Sequence, residues 1–107
     1  MKRGHIYRVH RPSEDPKRHR CFVVVGRQEV IDSRLSTVIC APIFSHGHGL
    51  MSQVAIGTSE GMKHESWVMC DNLVSVRKSD LTQFVGSLSY SKLAELDDAL
   101  KAALALD

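Results

Sequence analysis

The chain has 107 residues, of which 43% are hydrophobic and 24% are charged, and its formal net charge is +2. This length predicts a single domain over residues 1–107 that buries its apolar surface without metal or disulfide staples. No stretch approaches the ~20 apolar residues of a membrane span, and none forms the apolar segment of a signal peptide, so we expect a cytoplasmic protein without membrane contact. The three cysteines lie in or beside apolar runs, which predicts buried free thiols.

The charge is distributed unevenly along the chain. Residues 1–27 carry eight cations and two anions, a local charge of +6, whereas the remaining residues sum to −4. If the fold gathers these cations on one face, their positive field favours a polyanion, and nucleic acid more than an acidic small molecule. A solvated loop rich in lysine and arginine is the alternative interpretation, and charge alone does not decide between them.

The first part of the chain has the patterns of β-strands. Residues 5–10 carry apolar side chains near every second position, which predicts a half-buried strand. Residues 11–20 contain two prolines and several cations, and we expect a basic loop there. Residues 22–25 are aromatic and β-branched, which predicts a buried strand, whereas residues 28–36 are mixed and mostly polar.

A second buried strand is predicted at residues 37–43. Because proline has no N–H to give to a central ladder, we expect Pro42 to mark the point where this strand leaves the sheet. Phe44 and Ser45 follow directly and are therefore available for a functional site. Two glycines within the next four residues predict a mobile loop.

The last part of the chain changes from strand to helix. Residues 53–57 and 66–70 predict two strands separated by a turn-forming stretch at 58–63, and residues 84–86 predict a weaker strand. Beyond Ser89, which is in position to act as an N-cap, apolar residues recur at helical spacing. These residues are Leu93, Leu96, Leu100, Ala103 and Leu104. Together the elements predict a small β-barrel or strongly bent sheet closed by an amphipathic C-terminal helix.

Few motifs suggest metal or cofactor chemistry. His46 and His48 flank a glycine, but no third and fourth ligand stand at a recognisable spacing, so we predict no metal site and no cofactor. The chain also lacks a glycine-rich phosphate motif between a strand and a helix, and it lacks a nucleophile elbow. ATP-dependent and acyl-transfer reactions are therefore disfavoured.

The remaining chemistry consists of Arg, Ser, Asp and His side chains around the basic loop, a set that can cleave RNA without a metal. The RNA 2′-hydroxyl is a tethered nucleophile, so a protein need only position it, stabilise the phosphorane-like charge and help protons move. Arg20 is the leading candidate, because a guanidinium offers a planar, permanently charged fork to phosphate oxygens and the adjoining strand would hold its backbone. A surface arginine at a strand start is the structural alternative.

Six segments, in this order, resemble the MazF/PemK toxins of type II toxin–antitoxin systems. The segments are residues 2–7 (KRGHIY), 20–25 (RCFVVV), 37–43 (TVICAPI), 68–73 (VMCDNL), 85–89 (VGSLS) and the final helix. The resemblance implies a small SH3-like barrel, a homodimer, and a metal-independent, sequence-selective endoribonuclease that cleaves single-stranded RNA by 2′-hydroxyl attack and leaves a 2′,3′-cyclic phosphate. It also implies a cognate antitoxin whose acidic, poorly ordered tail lies over the RNA groove.

The resemblance also assigns site residues, with some departures from the family pattern. Arg20 matches the family's catalytic arginine, and Asp71 matches an acidic residue that is usually followed by Gln, where this chain has Asn72. The family usually has Thr or Ser directly after the Ala-Pro-Ile segment, where this chain has Phe44, with Ser45 one place later. The predicted catalytic residues are Arg20, Ser45 and Asp71, and the predicted RNA-binding residues are Lys17, Arg18, His19, Phe44 and Asn72.

Several of these residues have a plain structural interpretation as well. Phe44 could stack on an unpaired base or belong to the core, Ser45 could satisfy a turn, and Asp71 could cap its strand. Two other functions therefore stay open beside the ribonuclease. One is a gyrase-poison-type toxin that binds a protein target, and the other is a catalytically degenerate member that only binds RNA or antitoxin.

Overall fold

The computed structural model describes residues 1–10 and 19–106, with the backbone alone at His19. This part of the chain forms seven strands: β1 His5–His10, β2 His19–Val24, β3 Thr37–Phe44, β4 Gln53–Ile56, β5 Ser66–Met69, β6 Val74–Arg77 and β7 Gln83–Ser87. It also forms the helices α1 Gln28–Ile31 and α2 Tyr90–Ala103, and the short 3₁₀ helices Thr58–Glu60, Cys70–Asn72 and Lys78–Asp80.

All strand pairs of the sheet are antiparallel, in the order β4-β5-β3-β2-β1-β7, and β6 pairs with β3 beside β5. β6 and β7 thus lie at opposite ends of the path β6-β3-β2-β1-β7. Only the short segment 78–82 joins them, so the sheet must curl to bring its two edges together. The result is a curled sheet of the barrel type that the sequence predicts.

Alternating side chains give this sheet two apolar faces. One face carries Ile6, Val23 and Ala41, which pack with the α2 residues Leu96 and Ala99 in the first core. The other face forms a second core with the buried residues Tyr7, Phe22, Val24, Cys40, Val76 and Leu81. A strand with a core on each face holds its side chains rigidly, and this applies most strongly to β2 and β3.

Helix α2 begins and packs as its sequence predicts. The Ser89 hydroxyl accepts a hydrogen bond from the Lys92 N–H at 3.2 Å, which confirms the predicted N-cap. Leu96 is completely buried, whereas Leu104 at the end of the apolar stripe is 54% exposed. A salt bridge of 2.7 Å between Arg3 and Asp97 ties the helix to the start of the chain. No helix of the described residues is long and apolar enough to span a membrane.

The predicted strands occur, but two predictions next to them are wrong. Arg20 lies within β2 and not in the preceding loop. Pro42 lies inside β3, opposite Phe22, and the strand continues to Phe44. The proline is tolerated because β6 pairs with residues 37–40 of β3 and β5 pairs with residues 43–44, so Pro42 lies in the interval between those two partners.

The three cysteines are free thiols, as the sequence predicts. Cys40 and Cys70 are buried, and Cys21 is half-buried. Burial raises the pKa of the Cys40 thiol to about 12. Burial, with a further contribution from the neighbouring Asp71 carboxylate, raises the pKa of the Cys70 thiol to about 11. Both buried thiols are therefore protonated near neutral pH.

Candidate RNA-cleavage site

A depression of about 430 Å³ opens on the face of the sheet that carries Phe22 and the second core. Its floor consists of Arg20 and Phe22 from β2 and of Pro42 and Phe44 from β3. Residues two apart on a strand share a face, and Phe22 pairs directly with Pro42, so these four side chains form one contiguous surface. Residues 72–74, which lead from the 3₁₀ helix Cys70–Asn72 into β6, line the remaining side.

The depression exists because β3 changes partners along one edge. β5 pairs with the end of β3 and β6 pairs with its beginning, and the chain crosses between them through the 3₁₀ helix Cys70–Asn72. This crossing leaves the interval around Pro42 unpaired on that side and places Asn72 at its border. The same local break thus accommodates the proline and opens the site.

Arg20 and Phe44 are in direct contact across the floor. The guanidinium carbon of Arg20 lies 5.6 Å from the centre of the Phe44 ring, a cation–π arrangement. Arg20 is exposed, and it forms no ion pair with any residue that the structure describes. The aromatic ring can orient the guanidinium while leaving its N–H donors available to an anion, such as the phosphate of a bound strand.

The other two predicted catalytic residues, Ser45 and Asp71, do not line the depression. Ser45 is exposed and directly follows Phe44 at the end of β3. The Asp71 carboxylate accepts a hydrogen bond from the hydroxyl of the buried Ser52, and Asp71 is not among the residues that line the depression. Its neighbour Asn72 does line the depression.

The predicted RNA-binding residues divide in the same way. Phe44 and Asn72 lie together with Arg20 in the depression. Lys17 and Arg18 are outside the described residues, as is the side chain of His19, whose backbone begins β2. Within residues 1–10 and 19–106, no three His, Cys, Asp or Glu side chains are close enough together to hold a metal ion.

Four residues of the depression are not predicted from the sequence as site residues: Phe22, Pro42, Leu73 and Val74. The alternation of a strand is a signal that could have identified Phe22 and Pro42, because they lie two residues from Arg20 and from Phe44. Leu73 and Val74 have no such signal, since their position depends on how the chain crosses from β5 to β6.

An apolar groove of about 450 Å³ lies between β3, α1 and the end of α2. Its apolar lining residues are Val25, Val30, Ile39, Leu73, Leu100 and Leu104. Ile39 is 47% exposed and Leu104 is 54% exposed, which is unusual for large apolar side chains next to one another. Leu73 lines both this groove and the depression at Arg20, so the two surfaces are continuous.

Comparison with known proteins places this architecture among toxins. Residues 2–104 match the family described as PemK-like, MazF-like toxin of type II toxin–antitoxin systems. The chain is 32% identical over 85 residues to Endoribonuclease MazF3 of Mycobacterium tuberculosis, and the match covers 79% of this chain and 82% of the relative.

Solved structures agree with the fold. The toxin MazF-mt6 of Mycobacterium tuberculosis superposes with a TM-score of 0.82 at 27% identity, covering 96% of this chain and 98% of that one. A mycobacterial endoribonuclease in complex with its cognate antitoxin gives a TM-score of 0.84 at 20% identity, covering 100% of this chain and 97% of that one. These superpositions confirm the predicted curled sheet with a C-terminal helix.

Proposed function

Because the chain belongs to the PemK-like, MazF-like toxins of type II toxin–antitoxin systems, we propose that it is an endoribonuclease that cleaves single-stranded RNA at the Arg20 depression without a metal ion. The observation that carries this proposal is the Arg20 guanidinium held over the Phe44 ring at the floor of an open depression. The endoribonuclease name of the 32% identical relative supports cleavage over the gyrase-poison alternative.

The reaction requires charge stabilisation and proton transfer. The RNA 2′-oxygen forms a bond to the adjacent phosphorus and loses its proton, and the bond from phosphorus to the 5′-oxygen breaks as that oxygen gains a proton. The products are a 2′,3′-cyclic phosphate and a 5′-hydroxyl. Arg20 donates hydrogen bonds to the phosphate oxygens, on which negative charge accumulates in the transition state.

We assign Ser45 and Asp71 to assist Arg20 in the cleavage reaction. Ser45 follows the strand end that carries Phe44, so its hydroxyl is close in the chain to the phosphate-binding floor. The Ser52 hydroxyl donates a hydrogen bond to the Asp71 carboxylate. Asp71 is the chain neighbour of Asn72, which lies on the border of the depression. A hydroxyl and a carboxylate at these two positions can orient the sugar and exchange protons with solvent.

RNA recognition uses the depression and the cationic residues that precede Arg20 in the chain. The Phe44 ring offers a face on which an unpaired base can stack, and the Asn72 amide can donate to and accept from a base edge. Lys17 and Arg18 precede Arg20 in the chain and add positive charge for the phosphate backbone, and the His19 imidazole adds a hydrogen-bonding group.

Two protein partners complete the proposal. A second copy of this chain covers the apolar groove around Ile39 and Leu104, giving a homodimer in which two Arg20 depressions are linked through Leu73. The cognate antitoxin covers the RNA surface with an acidic segment that opposes the local charge of +6 in residues 1–27. The single domain works in the cytoplasm, where its RNA substrates are.

The test is incubation of the purified chain with a long RNA in EDTA, beside the Arg20→Ala variant, with the fragment ends mapped and typed. We expect discrete cuts that end in cyclic phosphate and are absent with the variant. RNA binding without cleavage across varied sequences would instead identify a catalytically degenerate member. A monomer in sedimentation at micromolar concentration would contradict the homodimer.

A further inference from the structure

The segment that follows β3, residues 45–52, packs against the single tryptophan of the chain. A methyl group at Gly47 would lie 2.7 Å from Cε2 and Nε1 of the Trp67 indole and 2.8 Å from Cδ2, closer than any real contact. The Gly47 backbone therefore lies directly on the ring, and only a residue without a side chain fits there. Close approach, and not a left-handed backbone, is what requires this glycine.

The strand pairing of β5 holds Trp67 in place below Gly47. Trp67 lies on β5 between cross-strand partners, Phe44 on β3 and Ala55 on β4. Its chain neighbours Ser66 and Val68 are 2% and 0% exposed, so the strand that carries the indole is fixed in the interior. Phe44 in turn lies under the Arg20 guanidinium, so the strand position that pairs with Trp67 also carries the ring that contacts the candidate catalytic arginine.

Hydrogen bonds fix the far end of the segment. The Cys70 N–H donates to the Ser52 carbonyl at 3.1 Å, and the Ser52 hydroxyl donates to the Asp71 carboxylate. The His48 N–H donates to the Gln53 side-chain carbonyl at 2.8 Å. Between these points Leu50 and Met51 are 53% and 86% exposed, so they contribute little apolar contact. The packing of Gly47 on Trp67 is therefore the apolar contact that holds the first half of the segment.

We propose that Trp67 is a positioning residue that, through Gly47, fixes the segment beginning at Ser45 beside the Arg20 depression. This inference rests on the proposed ribonuclease function. Trp67 does not line the depression and need not touch RNA. Its effect is on the placement of Ser45, and misplacement by about 1 Å can cost on the order of a hundredfold in rate.

The test measures cleavage and indole exposure in the same variants. In Gly47→Ala the new methyl group must separate the segment from the ring, whereas in the matched control Gly57→Ala the methyl group meets nothing within 4 Å. We expect Gly47→Ala to lower kcat by about ten- to a hundredfold with KM changed by less than about threefold. Because Trp67 is the only tryptophan, acrylamide quenching of the intrinsic fluorescence reports how exposed the indole is. We expect stronger quenching in Gly47→Ala, where the segment no longer covers the ring.

Two substitutions of the tryptophan separate positioning from general stability. Trp67→Phe retains a flat ring below Gly47 and should retain most of kcat. Trp67→Val keeps a good strand residue without the ring and should lose kcat as Gly47→Ala does. Thermal unfolding by circular dichroism identifies any variant that is not folded at the assay temperature.

Several results would overturn the inference while the wild-type chain remains active. For Gly47→Ala these results are a kcat within twofold of wild type, a change in KM alone, or unchanged acrylamide quenching. For the tryptophan variants the result is equal activity of Trp67→Phe and Trp67→Val. A wild-type chain that cleaves no RNA refutes the proposed function itself, and the positioning role with it.

Discussion

Substitution of Arg20 should separate catalysis from stability. Arg20 is exposed, and its guanidinium makes a cation–π interaction with Phe44 at 5.6 Å. An exposed contact of this kind contributes about 0.5–1 kcal/mol, so Arg20→Ala should lower the free energy of unfolding by no more than about 1 kcal/mol. Loss of one preorganised donor to the developing phosphorane charge should cost about 10²–10³ in kcat.

Arg20→Lys is the matched variant for this prediction. It keeps the positive charge but replaces the planar fork with a single ammonium group, which cannot bridge two phosphate oxygens in the same plane. Its kcat should lie between those of the wild-type chain and Arg20→Ala. Cleavage is followed with a fluorogenic RNA in EDTA, and stability is followed by urea unfolding.

Two outcomes would refute the reasoning about Arg20. If Arg20→Ala cleaves within about threefold of the wild-type rate, the guanidinium does not stabilise the transition state. If its free energy of unfolding falls by several kcal/mol, Arg20 supports the fold, and the loss of activity says nothing about the chemistry.

Three further predictions concern the base platform, the helix cap and the buried thiols. Phe44→Leu should weaken binding of a non-cleavable RNA by about 1–3 kcal/mol in fluorescence anisotropy, because the stacking face is lost. Ser89→Ala should lower stability by about 1 kcal/mol, and Tm in calorimetry by roughly 4–8 °C, because the Lys92 N–H loses its acceptor. Because folding raises the thiol pKa of Cys40 and Cys70, urea-measured stability should fall as pH rises above about 9, by up to about 1.4 kcal/mol per pH unit for each thiol.

The helix-cap and thiol predictions each have a control variant in the same chain, and the Phe44 prediction has a result that would contradict it. The exposed Ser59→Ala should leave Tm nearly unchanged, and an equal loss in both serine variants would contradict the capping role. Cys40→Ala should reduce the loss of stability at alkaline pH, and an unchanged slope would show that other groups cause it. RNA affinity that is the same in Phe44→Leu and wild type would remove Phe44 from the binding surface.

The sequence predicts the elements whose signal is local. The Ser89 cap and the spacing of Leu93, Leu96 and Leu100 predict α2 correctly, because both signals lie within the helix itself. The alternation in residues 5–10 gives β1 with its bounds. Helix α1 has four residues and no side-chain cap, and β6 has four residues with one buried, so neither carries a pattern long enough to recognise.

The errors at the site arise from contacts that are distant in sequence. Arg20 is assigned to a loop because polar and proline residues precede it, but pairing with Val9 extends β2 back to His19. Pro42 is expected to end its strand, because a sequence does not show that β5 and β6 share one edge of β3. The hydrogen bond between Ser52 and Asp71 likewise joins two segments whose proximity depends on the pairing of β4 with β5.

The pairing of β1 with β7 determines when a newly made chain can fold. His5 lies opposite Ser87, so β1, the first described strand, cannot complete its pairing until β7, the last one, has been made. At synthesis rates of ~5–20 residues per second, the outer edge of β1 stays unpaired for on the order of 4–16 s on the ribosome. The curl cannot close until β7 has emerged, so the folded toxin forms only after residues 83–87 have been made. A chain that terminates before β7 leaves that edge open, and we expect it to aggregate and not to act as a smaller nuclease.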